Sequence, residues 1–188
     1  MKNRASHLPM PHISALVFFV VALPIVIISI IGSGYASTFT TVYSFNGTDG
    51  ANPYASVIFD SKGNLYSSTY HGGDLSCAGG VGCGTVFELD SAGKQSVLYS
   101  FTDSTDGCCP GYTDGQLVRD TAGNLYGVGV YGGTSNDGVV FKVDSSGKET
   151  VLHTFSGSDG KYPEGDLIRD KSGNLYGVTY SVAHRITE

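Results

Sequence analysis

The chain has 188 residues, 15% of them charged, with a formal net charge of −6, 27 glycines, 12 tyrosines and no tryptophan. The acidic balance excludes a nucleic-acid partner held through a basic patch, because phosphate contacts need clustered Lys and Arg. Glycine at roughly twice its average share of about 7% favours many turns over long helices, and apolar residues in every stretch exclude global disorder.

The N-terminal segment differs from the rest. Lys2 and Arg4 give it a positive start, and Ala15 to Ile31 is a run of 17 residues broken only by Pro24 and Ser29. Gly34-Tyr35-Ala36 then places small residues at the −3 and −1 positions of a cleavage site after Ala36. This is the tripartite pattern of a secretory signal peptide over residues 1–36. The run also reaches the lower limit for crossing a bilayer, so an uncleaved N-terminal membrane-anchor helix is the second reading. Either way the segment is the chain's only route to a membrane. Export places the four cysteines where disulfides persist.

Beyond it the sequence repeats. Val42-Tyr43-Ser44-Phe45 returns as Leu98-Tyr99-Ser100-Phe101 and Leu152-His153-Thr154-Phe155, with Phe-to-Phe spacings of 56 and 54. Asp-Gly-x-x-Pro starts at Asp49, Asp106 and Asp159, and Asp-x-x-Gly-Asn-Leu-Tyr at Asp60, Asp120 and Asp170. Gly84 to Asp90 is matched by Gly138 to Asp144. The pieces keep their order, giving units at 37–96, 97–150 and a partial 151–188. A period of this size belongs to propellers and solenoids.

In the second unit the β-branched and aromatic runs predict strands at Val97–Phe101, Gln116–Asp120, Leu125–Val130 and Val139–Asp144. Four short strands joined in sequence form an antiparallel meander, so the fold class is all-β, with tandem four-stranded repeats. Asp60, Asp90, Asp120, Asp144 and Asp170 each open an Asp-x-x-Gly tight turn. Asp caps such a turn through its own amides, and Gly tolerates positive φ at its end. These carboxylates are therefore read as turn caps rather than as metal or catalytic groups.

The other two connections are longer and vary. Successive hairpin loops in a meander fall at opposite strand ends, so the tight turns share one face and the variable loops the other, where function usually lies. The first unit has a seven-residue insertion holding Cys77 and Cys83, and the second a four-residue insertion beside Cys108 and Cys109. Four cysteines allow three pairings: Cys77–Cys83 with Cys108–Cys109, or two that cross-link neighbouring units. No C-x-x-C pair occurs, which favours disulfides over a metal site. Polar and aromatic candidates on this face are Asp49, Tyr54, His71, Asp74, Asp106, Tyr112, Asp159 and Tyr162. Tyr66, Tyr126 and Tyr176 hold one strand position in all units and read as packing residues, as does His153, which replaces Tyr43 and Tyr99.

The ordered motifs L-x-R-D-x-x-G-N-L-Y-G, Y-G-G and G-x-V-F-K-x-D-x-x-G-K resemble the GloVer repeat of bacterial choice-of-anchor tandem-repeat proteins, over about residues 40–180. The resemblance implies a β-propeller-like fold, export or surface anchoring, and no catalytic residues to carry over. The third unit departs from it after Tyr180: no Gly-Gly follows, and the sequence offers no fourth strand in Ser181 to Glu188. About two and a half blades are expected, as in a fragment or a prematurely ended frame. Its open blade edges favour association with further repeats or with itself.

No G-x-S-x-G nucleophile motif, calcium loop or cofactor fingerprint is present. The expected role is a binding, adhesion or scaffold module without a cofactor, meeting an extracellular glycan or protein through tyrosine-rich loops. The alternative is part of an extracellular propeller-type hydrolase or lyase acting on carbohydrate.

Overall fold

Runs such as Val139-Val140-Phe141-Lys142-Val143 have side chains suited to a pleated surface, and the Asp-x-x-Gly turns between them reverse the chain tightly. In the computed structural model, which describes residues 38–102, 105–110, 115–180 and 182–187, these runs are strands of antiparallel sheets. Residues 1–36, with the signal or anchor helix expected there, and Tyr112 lie outside the described residues. Among the described residues no helix is long and apolar enough to cross a membrane, and the one 3-10 turn is Ala78–Gly80.

The first sheet is β1 (Ile58–Phe59), β2 (Leu65–Thr69), β3 (Thr85–Leu89) and β4 (Gln95–Ser100), hydrogen-bonded in that order. In the second, β5 (Cys108–Pro110) and β6 (Val118–Arg119) both pair with β7 (Leu125–Tyr131), followed by β8 (Val139–Val143) and β9 (Glu149–Thr154). The third holds β10 (Pro163–Arg169), β11 (Leu175–Thr179) and β12 (Ala183–Ile186). The Val97 and Val151 runs thus close the sheet before them. The sheets are offset by one strand from the repeat as written along the sequence.

The tail corrects one expectation. Ala183–Ile186, which showed no strand signal, pairs with β11 as β8 pairs with β7. Gly177 faces His184 as Gly127 faces Phe141, and Tyr176 faces Arg185 as Tyr126 faces Lys142. The variable loop before it is shortened to a turn in which Thr179 N donates to Val182 O (2.8 Å).

Most of β7 and β8 is buried, because the second sheet is covered on both faces. One apolar cluster joins Tyr66 and Val86 of the first sheet to Leu117, Leu125 and Phe141 of the second. Another joins Tyr126, Val128 and Val140 of the second to Leu167 and Leu175 of the third. Aromatic pairs bridge the sheets as well: Phe101 stands edge-on to Phe141 at 4.9 Å, and Phe155 to His184 at 5.1 Å. Fully burying one such ring stabilises by about 1.5–3 kcal/mol.

Candidate functional site

On the tight-turn face, three sheets carry the same carboxylate centre. Asp60 Oδ1 accepts from the amides of Lys62 (2.8 Å) and Asn64 (3.0 Å), while Oδ2 accepts from Asn64 Nδ2 and the Tyr66 hydroxyl. Asp120 does the same with Ala122, Asn124 and Tyr126, and Asp170 with Ser172, Asn174 and Tyr176. The repeated Asp-x-x-Gly-Asn-Leu-Tyr spacing thus couples a turn cap to the tyrosine of the following strand, whose hydroxyl the packing role alone did not anticipate. Desolvation opposes it, but these hydrogen bonds hold the Asp120 carboxyl below the usual carboxylate value. Asp90 and Asp144 cap their turns through amides at i+2 and i+4.

The opposite, variable-loop face is organised by Asp-Gly-x-x-Pro. The Tyr43 hydroxyl donates to Asp49 Oδ2, the Tyr99 hydroxyl to Asp106 Oδ2 (2.8 Å), and His153 Nε2 meets Asp159 Oδ2 at 2.9 Å. The second duty of each carboxylate is local: Asp49 takes the Asn46 amide, Asp106 the Thr102 amide and Asp159 the Ser156 amide. That amide and Ser156's hydroxyl outweigh desolvation and hold Asp159 at about 2. His153 is therefore a polar partner of the loop as well as a packing ring. Burial and Asp106 push the Tyr99 hydroxyl above its ordinary value.

The residue before each proline, Asn52, Cys109 or Tyr162, has φ of 56°, 61° or 52°. Cys109 N donates to Cys83 O (2.8 Å) and Tyr162 N to Asp137 O (2.7 Å), so the second and third loops dock on the variable loop of the preceding sheet, while Asn52 O accepts the Tyr70 amide of its own sheet. The disulfides are Cys77–Cys83 and Cys108–Cys109, within their own loops. All four cysteines are buried in the cluster between the first two sheets. Gly132, at φ 88°, lies against the Asp-Gly-x-x-Pro loop of its own sheet, where a Cβ would fall 2.7 Å from the Gly107 carbonyl carbon.

The candidates do not converge on one cavity. Tyr54 and His71 come together: Asn52 Nδ2 donates to the Tyr54 hydroxyl (3.1 Å), His71 Nδ1 lies 3.3 Å from Asn52 Oδ1, and the Tyr70 ring stands between at 6.2 Å from Tyr54 and 4.1 Å from His71. Asn52 and Tyr70, the latter read from the sequence only as the start of its loop, were not among the expected site residues. Asp74 caps its own turn, accepting the Ser76 hydroxyl (2.7 Å) and amide. Tyr162 packs edge-on to Tyr131 at 5.6 Å beneath Lys161. Among the described residues no group of three His, Cys, Asp or Glu side chains is placed to hold a metal ion.

Comparison with solved structures gives the selenomethionine-substituted virginiamycin B lyase from Staphylococcus aureus, with a TM-score of 0.50 and 14% identity over 74% of this chain and 39% of that one. A luciferin-regenerating enzyme matches with a TM-score of 0.47 and 18% identity over 70% of this chain and 41% of that one. The chain spans about two fifths of the length of these structures. At such identity the likeness shows the fold, which is propeller-like. No curated protein matches the sequence. The model of the Gloeobacter/Verrucomicrobia repeat matches residues 30–186, and the chain belongs to that repeat family.

Proposed function

We propose that the chain is an exported binding or scaffold module without catalytic turnover, whose variable-loop face meets an extracellular glycan. The observation that carries this reading is the contrast within that face. Asp49, Asp106 and Asp159, the carboxylates of the Asp-Gly-x-x-Pro loops, are engaged by their own loops and by Tyr43, Tyr99 and His153. Asn52, Tyr54, Tyr70 and His71 instead form a surface cluster with Tyr54 53% exposed. Rigid aromatic area edged by amide and imidazole groups suits the apolar faces and hydroxyls of a sugar. The charged start and apolar run of residues 1–36 support export.

A glycan array probed with the chain tests the reading, with Tyr54→Ala and His71→Ala beside it. Binding that Tyr54→Ala abolishes, at unchanged far-ultraviolet circular dichroism, supports it. Turnover of a carbohydrate or lactone substrate that one Asp or His substitution removes overturns it. Cell fractionation checks the location.

A further inference from the structure

We infer that the variable-loop face carries a second sugar-binding subsite, formed by Tyr131, Tyr162 and Lys161, so that its ligand is a neutral polysaccharide chain held at two aromatic clusters at once. The inference rests on the glycan reading of the Tyr54 cluster and adds to it a second contact, a chain length and a charge.

The two clusters share a frame. His71 and Tyr131 hold the same place at the end of a strand, His71 bridged to Ala51 and Tyr131 paired with Cys108. Each is joined by a further ring: Tyr70 lies 4.1 Å from His71, and Tyr162 stands 5.6 Å from Tyr131. Each also has polar groups at its edge. Asn52 serves the first cluster. At the second, Lys161 Nζ lies 5.2 Å from the centre of the Tyr162 ring, and Thr134, Ser135 and Asn136 are exposed on the turn after Tyr131. Tyrosines held in this way offer a sugar rigid apolar area beside hydroxyl, amide and ammonium groups.

Packing does not account for the second cluster. Packing tyrosines recur at one position, as Tyr66, Tyr126 and Tyr176 do, whereas Asn52 and Cys109 stand where the third unit has Tyr162. The loop does not need the ring in order to dock either, since Cys109 N donates to Cys83 O just as Tyr162 N donates to Asp137 O. The chain between the clusters is tied by the Cys77–Cys83 and Cys108–Cys109 disulfides. Their separation is therefore set before a ligand arrives, which lowers the ordering cost of binding.

Charge selects the polymer. Lys161 is the one lysine or arginine in the five variable loops, 46–54, 70–84, 102–115, 131–138 and 156–163, which also hold seven aspartates. Hydrogen bonds from the Ser76 hydroxyl and the Ser156 amide hold Asp74 and Asp159 below the usual carboxylate value, so both are charged at neutral pH. Such a face repels a uronic or sulfated polymer, and a neutral chain fits it.

Isothermal titration calorimetry of the full chain in a nonionic detergent tests the inference, with gluco-, manno- and N-acetylglucosamine oligosaccharides from disaccharide to octasaccharide. Filling the second subsite with the same molecule is an intramolecular step, so affinity should rise about a hundredfold once the oligomer spans both clusters. Tyr162→Asn removes the ring and keeps the left-handed backbone, which asparagine already adopts at Asn52 (φ 56°). It should cancel the rise while disaccharide binding at Tyr54 stays, and Tyr162→Phe should retain the rise. Tyr54→Ala instead lowers affinity at every length. An affinity independent of length overturns the second subsite and leaves the glycan reading standing. So does a rise that Tyr162→Asn leaves intact at unchanged circular dichroism. Tighter binding to polygalacturonate than to any neutral oligomer overturns the choice of a neutral chain. Failure of every oligomer and polymer to bind overturns the glycan reading and this inference with it.

Discussion

The Arg119 guanidinium lies 5.1 Å from the centre of the Tyr66 ring, although the two residues belong to different sheets. The contact recurs one sheet later, where Arg169 stands 5.3 Å from Tyr126. Each tyrosine hydroxyl donates to the aspartate of its own turn, so the ring is held in place for the incoming cation. Desolvation raises the Asp60 carboxyl, but the turn amides, the Tyr66 hydroxyl and Arg119 together hold it below its usual value. Arg119→Ala is expected to destabilise by about 1 kcal/mol, the size of a partly desolvated cation–π contact. Arg119→Lys should recover part of that, since an ammonium lacks the planar stacking surface. Urea denaturation checks both, and no change for Arg119→Ala would remove the contact from the forces joining the sheets.

Asp120 ties its turn to β7 through four acceptor contacts. Asp120→Ala leaves two backbone amides, the Asn124 side-chain amide and a tyrosine hydroxyl short of a partner, at a cost of about 2 kcal/mol after allowance for partial exposure. Asp120→Asn keeps one acceptor oxygen and should cost less. The native pKa is lowered, so the wild-type carboxylate contributes fully above the usual value of about 3.9 and progressively less as pH falls through the lowered native one. The Asp120→Asn chain should therefore lose less stability than wild type between pH 4 and pH 2. Parallel acid titrations followed by fluorescence would expose the opposite order.

Much of this was readable in the sequence, because it is local. Asp-x-x-Gly specifies its own turn whatever packs on it, and the cysteine loops announce themselves by inserted length. What escaped notice depends on comparison across sheets. Val182-Ala183-His184-Arg185-Ile186 matches Val139-Val140-Phe141-Lys142-Val143 position by position. His replaces Phe, however, and the loop before it has collapsed, so neither the spacing nor the aromatic signal flagged a strand. Only the register against β11 and the stacking of His184 on Phe155 expose the equivalence. The His153–Asp159 pair was hidden for the same reason: replacing tyrosine by histidine looks like a packing change until the loop folds back on it. Which candidates on the variable face meet was also illegible, since it depends on the left-handed turn at Asn52.

His184 itself gives a test of that equivalence. If it fills the place of Phe141, His184→Phe should be tolerated or stabilising, because the ring contact with Phe155 at 5.1 Å is kept and apolar area is added. His184→Ala should cost about 1–2 kcal/mol, below the range of fully buried large-to-small changes because the ring is only half-buried. Thermal unfolding of the three chains orders them. An alanine variant as stable as wild type would mean that β12 contributes nothing to the third sheet.

Among the described residues, Glu149 is the carboxylate whose environment works against its charge. Burial first, and the Asp106 charge second, push it up to about 7, and its Oε1 is buried without a hydrogen-bond partner. At the same position in the first sheet stands Gln95, whose Nε2 donates to Asp49 O (3.1 Å). A raised native pKa in an acid means that the folded state binds the proton more tightly than the unfolded one. The chain is then most stable below the unfolded value near 4.5 and loses that stability as pH rises toward 7. Glu149→Gln removes the charge and restores the donor of Gln95. It should stabilise the fold at pH 7.5 by about 1 kcal/mol after discounting for solvent screening, and by little at pH 4, where wild type is already protonated. Denaturant midpoints of both chains at the two pH values decide the matter. An equal gain at both would place the effect in packing rather than in the proton.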